Sequence, residues 1–298
     1  MTNSWSHNWY RVYRVIFGVY LLQHFLWLLP WGVELFSSAG VLPEASMSPL
    51  LRLFPNVFLV SDSPLFVQLC VVAAALSSVL LILGKFDRVM AVLIWYLWAC
   101  FYGRNPMIAN PSLPFIGWLL LAYAAIPPPS RVENAAEQRL SQEWKLPSQV
   151  FLAAWIVMSL AYLYSGYTKL VSPSWVDGTA LTRVLSNPLA RDTVLRSFLL
   201  GLPPISMKLA TWSVLALELT FAPLAIFRRV RPFVWTAMVS LHLALLVLIN
   251  FADLTLGMLL VHTFTFDASW VRSFRWASSP SGDGWHWWQR ACSRWHAL

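Results

Sequence analysis

Apolar residues in this chain come in long uninterrupted runs rather than in alternating or helically spaced patterns. The runs lie at roughly 9–30, 64–84, 88–102, 113–127, 148–168, 208–227, 232–251 and 254–268. Each predicts a helix, and several are wide enough to cross a bilayer without any argument from periodicity, because about 20 apolar residues span the hydrocarbon core. The third and fourth runs are short for that task. The eighth is confined between Asp253 and Asp267. The predicted fold is therefore all-α, a polytopic transmembrane helical bundle of about eight spans.

Two connections are more than linkers. Residues 31–63 contain Ala39-Gly40-Val41-Leu42-Pro43 and then an apolar stretch to Val60. Residues 171–207 predict a surface helix in which Asn187 is placed to cap and Pro188 suits the first turn. Val194, Leu195, Phe198, Leu199 and Leu202 then fall on one face, with Arg191 and Arg196 off it. This is either a lid lying in the membrane interface or a loop helix packed on its neighbours.

Composition supports the membrane reading. Only 11% of the 298 residues are charged, against about 25% in a soluble domain. Hydrophobic residues make up 58%, and the mean hydropathy is +0.60, so lipid must replace water over much of the surface. The 18 Trp fit rings anchored at the two interfaces. The formal net charge of +8 does not mark a nucleic-acid binder, because Lys and Arg sit in short loops between apolar runs. They read as topology signals and contacts to membrane lipids. With the N-terminus in the cytoplasm, most of them fall on the inner side, including Arg228, Arg229 and the tail arginines. An even number of spans with both termini cytoplasmic follows, in a cell membrane (the inner membrane, in a bacterium). Residues 1–270 form the membrane domain, and 271–298 form a Trp- and Arg-rich cytoplasmic tail that anchors at the interface or docks a partner.

Cys70, Cys100 and Cys292 form neither a CxxC nor a Cys/His pair, so no metal or disulfide is expected. No signal peptide, P-loop, HExxH or GxSxG is recognisable. Without an internal repeat, a repeat-built transporter is not supported.

Ionisable groups inside apolar runs are costly and mark either function or a structural pair. Glu218, within Leu215-Ala-Leu-Glu-Leu-Thr-Phe, must stay protonated or find a cation. His242 is either a neutral histidine bonded to a neighbouring helix or a proton carrier facing the same cavity as Glu218. Lys169 follows Ser165 and Gly166 at the end of the fifth run. Small residues there allow close helix contact, and Ser165 lies four residues back on the same face. A desolvated lysine at that place is a candidate base, and a snorkelling lysine is the plainer alternative. His24 reads as packing, and His262 is open between the two roles.

Several segments, in order, carry a resemblance. They are Ala39-Gly-Val-Leu-Pro, Leu83-Gly-Lys-Phe-Asp-Arg, Tyr102-Gly-Arg-Asn-Pro-Met-Ile-Ala-Asn, Tyr164-Ser-Gly-Tyr-Thr-Lys-Leu with Trp175-Val-Asp-Gly, Leu217-Glu-Leu-Thr-Phe-Ala-Pro and Leu241-His-Leu. Over roughly residues 10–270 the chain resembles the horizontally transferred transmembrane domain (HTTM) family, whose relatives include the vitamin K-dependent γ-glutamyl carboxylases. The resemblance implies that Lys169 is a base acting towards reduced vitamin K or another quinone. Glu218 and His242 complete the expected catalytic set. Two departures count against carboxylation itself. Asn110-Pro111-Ser112 stands where the carboxylases carry Asn-His-Ser, and only a short tail follows the bundle. A full γ-glutamyl carboxylase is therefore not expected. The expected activity is lyase- or oxidoreductase-like chemistry in a lipid- or quinone-accessible cavity. The alternatives are a non-enzymatic partner for maturation or export of a secreted peptide or small protein, or a transporter.

Overall fold

The computed structural model describes residues 5–127 and 144–270, and the predicted tail at 271–298 lies outside them. Every apolar run is one helix, with ends close to those read from sequence: α1 (His7–Leu28), α3 (Pro64–Ile82), α4 (Asp87–Arg104), α5 (Leu113–Ala125), α6 (Ser148–Leu170), α10 (Pro204–Ile226), α11 (Arg231–Leu248) and α12 (Ala252–Thr265). Short helices fill the connections: α2 (Gly32–Phe36), α7 (Pro173–Val176), α8 (Ala180–Leu185) and α9 (Val194–Leu200). No strand occurs among the described residues; Ala190 and Ile249 form an isolated antiparallel bridge.

Among the described residues four helices, α3, α6, α10 and α11, are both long and apolar enough to cross a membrane. Of the rest, α5 and α12 have 13 and 14 residues and reach only about 20 Å, short of a hydrocarbon core of about 30 Å.

Helix α12 explains why a short apolar segment is stable. It packs against α1, α5, α6 and α11. Gly257 lets it approach the start of α5 so closely that a Cβ there would lie 2.6 Å from Ser112 Oγ. Met258, Leu260, Val261 and Phe264 are all buried. The helix is solvated by protein on most sides, so its length need not match a bilayer.

Helices α1, α3, α4 and α5 pack in one group and α6, α10 and α11 in another, with α12 touching both. The turn from α3 to α4 closes with Gly84 at φ +70° and Lys85 N–H donating to the Leu80 carbonyl, a Schellman-type stop. Arg14 on α1 pairs there with Asp87 at 3.3 Å. At the other end of α4 the fully buried Arg104 donates to the Leu42 carbonyl (2.6 Å) and to Asp62 (3.1 Å), while Asn105 donates to the Leu35 carbonyl (2.8 Å). Polar side chains thus fasten the 31–63 segment to α4.

The 171–203 segment folds differently from the sequence expectation. Asn187 caps a turn by accepting from Leu189 N–H, and the helix starts only at Val194, capped by Thr193 accepting from Arg196 N–H. A run Asn187-Pro-Leu-Ala does suit a helix start, but residues 189–191 pair with the α11–α12 connection instead. Arg191 N–H donates to the Leu248 carbonyl and Asn250 N–H to the Leu189 carbonyl, both at 2.7 Å. The expected apolar face divides accordingly. Leu199 packs on the buried cluster of Leu185, Met207 and Leu248, while Val194 and Phe198 are exposed.

Candidate functional site

Helix α6 approaches α10 at Gly166. A Cβ there would lie 2.9 Å from the Leu219 side chain and 3.1 Å from its backbone nitrogen, so glycine is what allows the contact. One turn on, the close approach brings Lys169 to Glu218. The Lys169 ammonium donates to both carboxylate oxygens, at 2.8 and 2.6 Å, and to Ser165 Oγ at 2.7 Å. The Trp175 ring lies 5.0 Å from Nζ. Glu218 is 6% exposed as a residue, whereas the lysine side chain keeps 21% of its surface. The carboxylate in mid-helix has found a cation, and the lysine does not simply snorkel to headgroups.

The residues after Lys169 wrap this end of α6. Gly178, at φ +81°, lets the turn sit on Lys208 of α10, where a Cβ would meet the lysine side chain at 2.9 Å. Asp177 holds the turn by accepting from the Thr179 hydroxyl (2.6 Å) and N–H (2.8 Å), and these bonds keep its carboxyl below the usual carboxylate range. Trp212 Nε1 donates to the Val176 carbonyl, and Leu181 N–H donates to Thr211 Oγ1. The N-terminal half of α10 therefore extends past the end of α6 and is covered by α7 and α8. Trp175 of α7 is the part of that cover that lies against Lys169.

His242 does not bond to the Lys169–Glu218 pair. Its Nε2 is 2.9 Å from the Tyr162 hydroxyl, which also lies 2.6 Å from His262 Nε2. All three residues are buried. One hydroxyl can donate to one ring and accept from the other, so it satisfies both Nε2 atoms at once. Both Nδ1 atoms are buried without a partner. Tyr162 is on α6, two turns before Lys169. Of the three predicted catalytic residues, Lys169 and Glu218 meet directly, and His242 belongs to an adjoining Tyr–His–His cluster.

A second polar cluster, not expected from sequence, joins α1, the start of α5 and α12. Asp253 Oδ1 accepts from the Tyr20 hydroxyl (2.9 Å) and faces His24 Nδ1 (3.1 Å), and Oδ2 accepts from Asn110 Nδ2 (2.9 Å). Asn110 Oδ1 in turn accepts from the N–H and hydroxyl of Ser112 (2.9 and 2.6 Å). His24, Asn110 and Asp253 line one side of a cavity of about 230 Å³ whose other walls are largely aromatic. The signal was present in Asp253, which read only as the boundary of an apolar run, and in a histidine that read as packing.

Comparison with family models, with curated proteins and with solved structures finds no match to this chain.

Proposed function

We propose that the chain is an integral membrane protein of the HTTM type, with eight spans and both termini cytoplasmic, and that the Lys169–Glu218 pair is its proton-transfer centre. The observation that carries this reading is the ammonium–carboxylate contact of 2.6 Å between two apolar helices. Buried ion pairs are weak devices for stability, since desolvation offsets most of their attraction. Intramembrane ionisable groups are correspondingly associated with function.

Glu218 orients the lysine and takes its proton. Passage of one proton along the contact leaves a carboxylic acid and a neutral amine, a pair that a dry site tolerates better than separated charges. Ser165 holds the amine by a third hydrogen bond, and Trp175 supplies a flat apolar wall beside it. Once it has passed a proton to Glu218, Lys169 Nζ would be able to take one from a weakly acidic O–H beside it. A reduced quinone is the group this reading places there, and Lys169 and Trp175 are the residues that would hold it. Such a molecule supplies an ionisable phenol-type O–H when bound.

Val194 and Phe198 favour a second reading. They are 88% and 62% exposed on a short helix of the 171–203 cover, as a contact for a secreted peptide requires.

Extraction and mass spectrometry of small molecules bound to purified protein separates the readings. Wild type, Lys169→Ala and the double variant Lys169→Met/Glu218→Leu are compared. A quinone or prenylated compound on wild type that both variants lose supports the base. Retention by a well-folded double variant makes the pair structural, and co-purification of a small protein instead moves the weight to the second reading.

A further inference from the structure

The cavity beside Asp253 has a chemistry of its own, separate from Lys169 and independent of the reading given to it. Its lining contains one carboxylate and no Lys or Arg. Trp27, Trp98, Phe101 and Tyr102 are among its walls. Asp253 as a carboxylate is acceptor-only, so His24 turns Nδ1–H towards it, and in the neutral ring Nε2 is then an acceptor. Nε2 makes no hydrogen bond among the described residues, and it is not among the buried unpartnered atoms. A carboxylate offers about four lone-pair positions, of which Tyr20, His24 and Asn110 take three. The polar side of the cavity therefore presents two unused acceptors, one of them negatively charged. The apolar side is largely aromatic, and the faces of such rings carry negative electrostatic potential. The single carboxylate, with no Lys or Arg in the lining, and the aromatic walls favour a cation with a hydrophobic body; the donors facing the cavity are the neutral Trp27 indole and Tyr102 hydroxyl.

We infer that this cavity binds a small organic ammonium ion with an apolar or aromatic body. The ammonium donates to Asp253 and to His24 Nε2, and the body lies among the aromatic side chains, where cation–π attraction adds to apolar burial. The volume of about 230 Å³ equals that of about seven or eight waters, room for one ring and a short chain. Asn110 positions Asp253 and is itself set by Ser112, so Asn110-Pro111-Ser112 serves this site by shaping its carboxylate.

Isothermal titration of the full chain in nonionic detergent with phenethylammonium, and with phenethyl alcohol as its neutral match in size, tests the assignment. The expected result is saturable binding of the ammonium, with the alcohol about tenfold weaker, a loss typical of removing a charge-assisted contact. Asp253→Asn is expected to erase the preference. Equal affinity for the two probes, non-saturable partition of both, or a preference that survives in folded Asp253→Asn protein overturns the inference. If Asp253→Asn protein does not fold, Trp27→Leu decides, because Trp27 is more than half exposed and its loss leaves the hydrogen-bonded cluster intact. A several-fold loss of affinity confined to the ammonium supports the site, and an unchanged preference overturns it.

Discussion

Glu218 shows how one residue in an apolar run constrains a fold. A carboxyl group surrounded by Leu and Phe is either neutral or paired, and here it is paired with Lys169. Removing only the lysine strands the carboxylate. Lys169→Ala is expected to lower stability by about 1–3 kcal/mol, while Lys169→Met/Glu218→Leu recovers most of that loss. Thermal unfolding in detergent reads both, and a double variant no more stable than the single would mean that the two side chains do not share one interaction. Tyr162 makes a sharper case. Tyr162→Phe keeps the ring packing but leaves Nε2 of both His242 and His262 without a partner. A cost of about 1–3 kcal/mol is expected, larger than for loss of an exposed hydroxyl; an unchanged melting temperature would show that the hydroxyl is dispensable. Lys169 and Glu218 were legible in the sequence because ionisable groups stand out in apolar runs. Tyr162 and Asp253 were not. A tyrosine reads as apolar or interfacial, and an aspartate at the end of a run reads as its boundary. Only the packing of distant helices reveals their partners.

Helices were the most legible level, because length and unbroken apolarity fix them with little help from tertiary contacts. The cover over α10 was the least legible. Capping preference puts its start at Asn187, but the backbone of residues 189–191 finds better partners at 248–250. The sequence signal for a cap and the signal for an Asx-turn are the same, and the competing hydrogen bonds come from a segment nearly 60 residues away. Two substitutions test how the cover is held. Leu185→Ala opens the buried cluster with Met207 and Leu248 and is expected to cost about 2–5 kcal/mol. Phe198→Ser, on the exposed side of α9, is expected to change stability by less than about 0.5 kcal/mol. Equal effects would mean that both faces of the segment are buried in the native protein. Gly166→Val tests the α6–α10 contact in the same way. The added side chain meets Leu219, and an overpacking cost of about 1–3 kcal/mol is expected by denaturation.

At the scale of the molecule, the segments that carry the family resemblance turn out to have structural work that the residues themselves explain. Gly84 stops α3, Arg104 and Asn105 fasten the 31–63 segment, and Gly178 seats the turn after Lys169 on α10. Those roles account for the residue types at these positions without reference to any reaction. The proposed chemistry depends instead on Lys169 and Glu218 lying within a bilayer, and hence on how many helices cross it. α3, α6, α10 and α11 have the length and apolarity to do so. The eight-span reading adds α1, α4, α5 and α12, and α4 and α5 are where it differs most plainly from four crossings. The two exposed residues Phe86 and Met107 flank α4. Labelling of Phe86→Cys and Met107→Cys with a membrane-impermeant maleimide in intact cells, on a Cys292→Ser background, therefore tests the account most directly. Eight spans with a cytoplasmic N-terminus predict that Met107→Cys reacts from outside while Phe86→Cys reacts only after permeabilisation. Reaction of both from the same side would contradict the eight-span arrangement and the setting it gives to the Lys169–Glu218 pair.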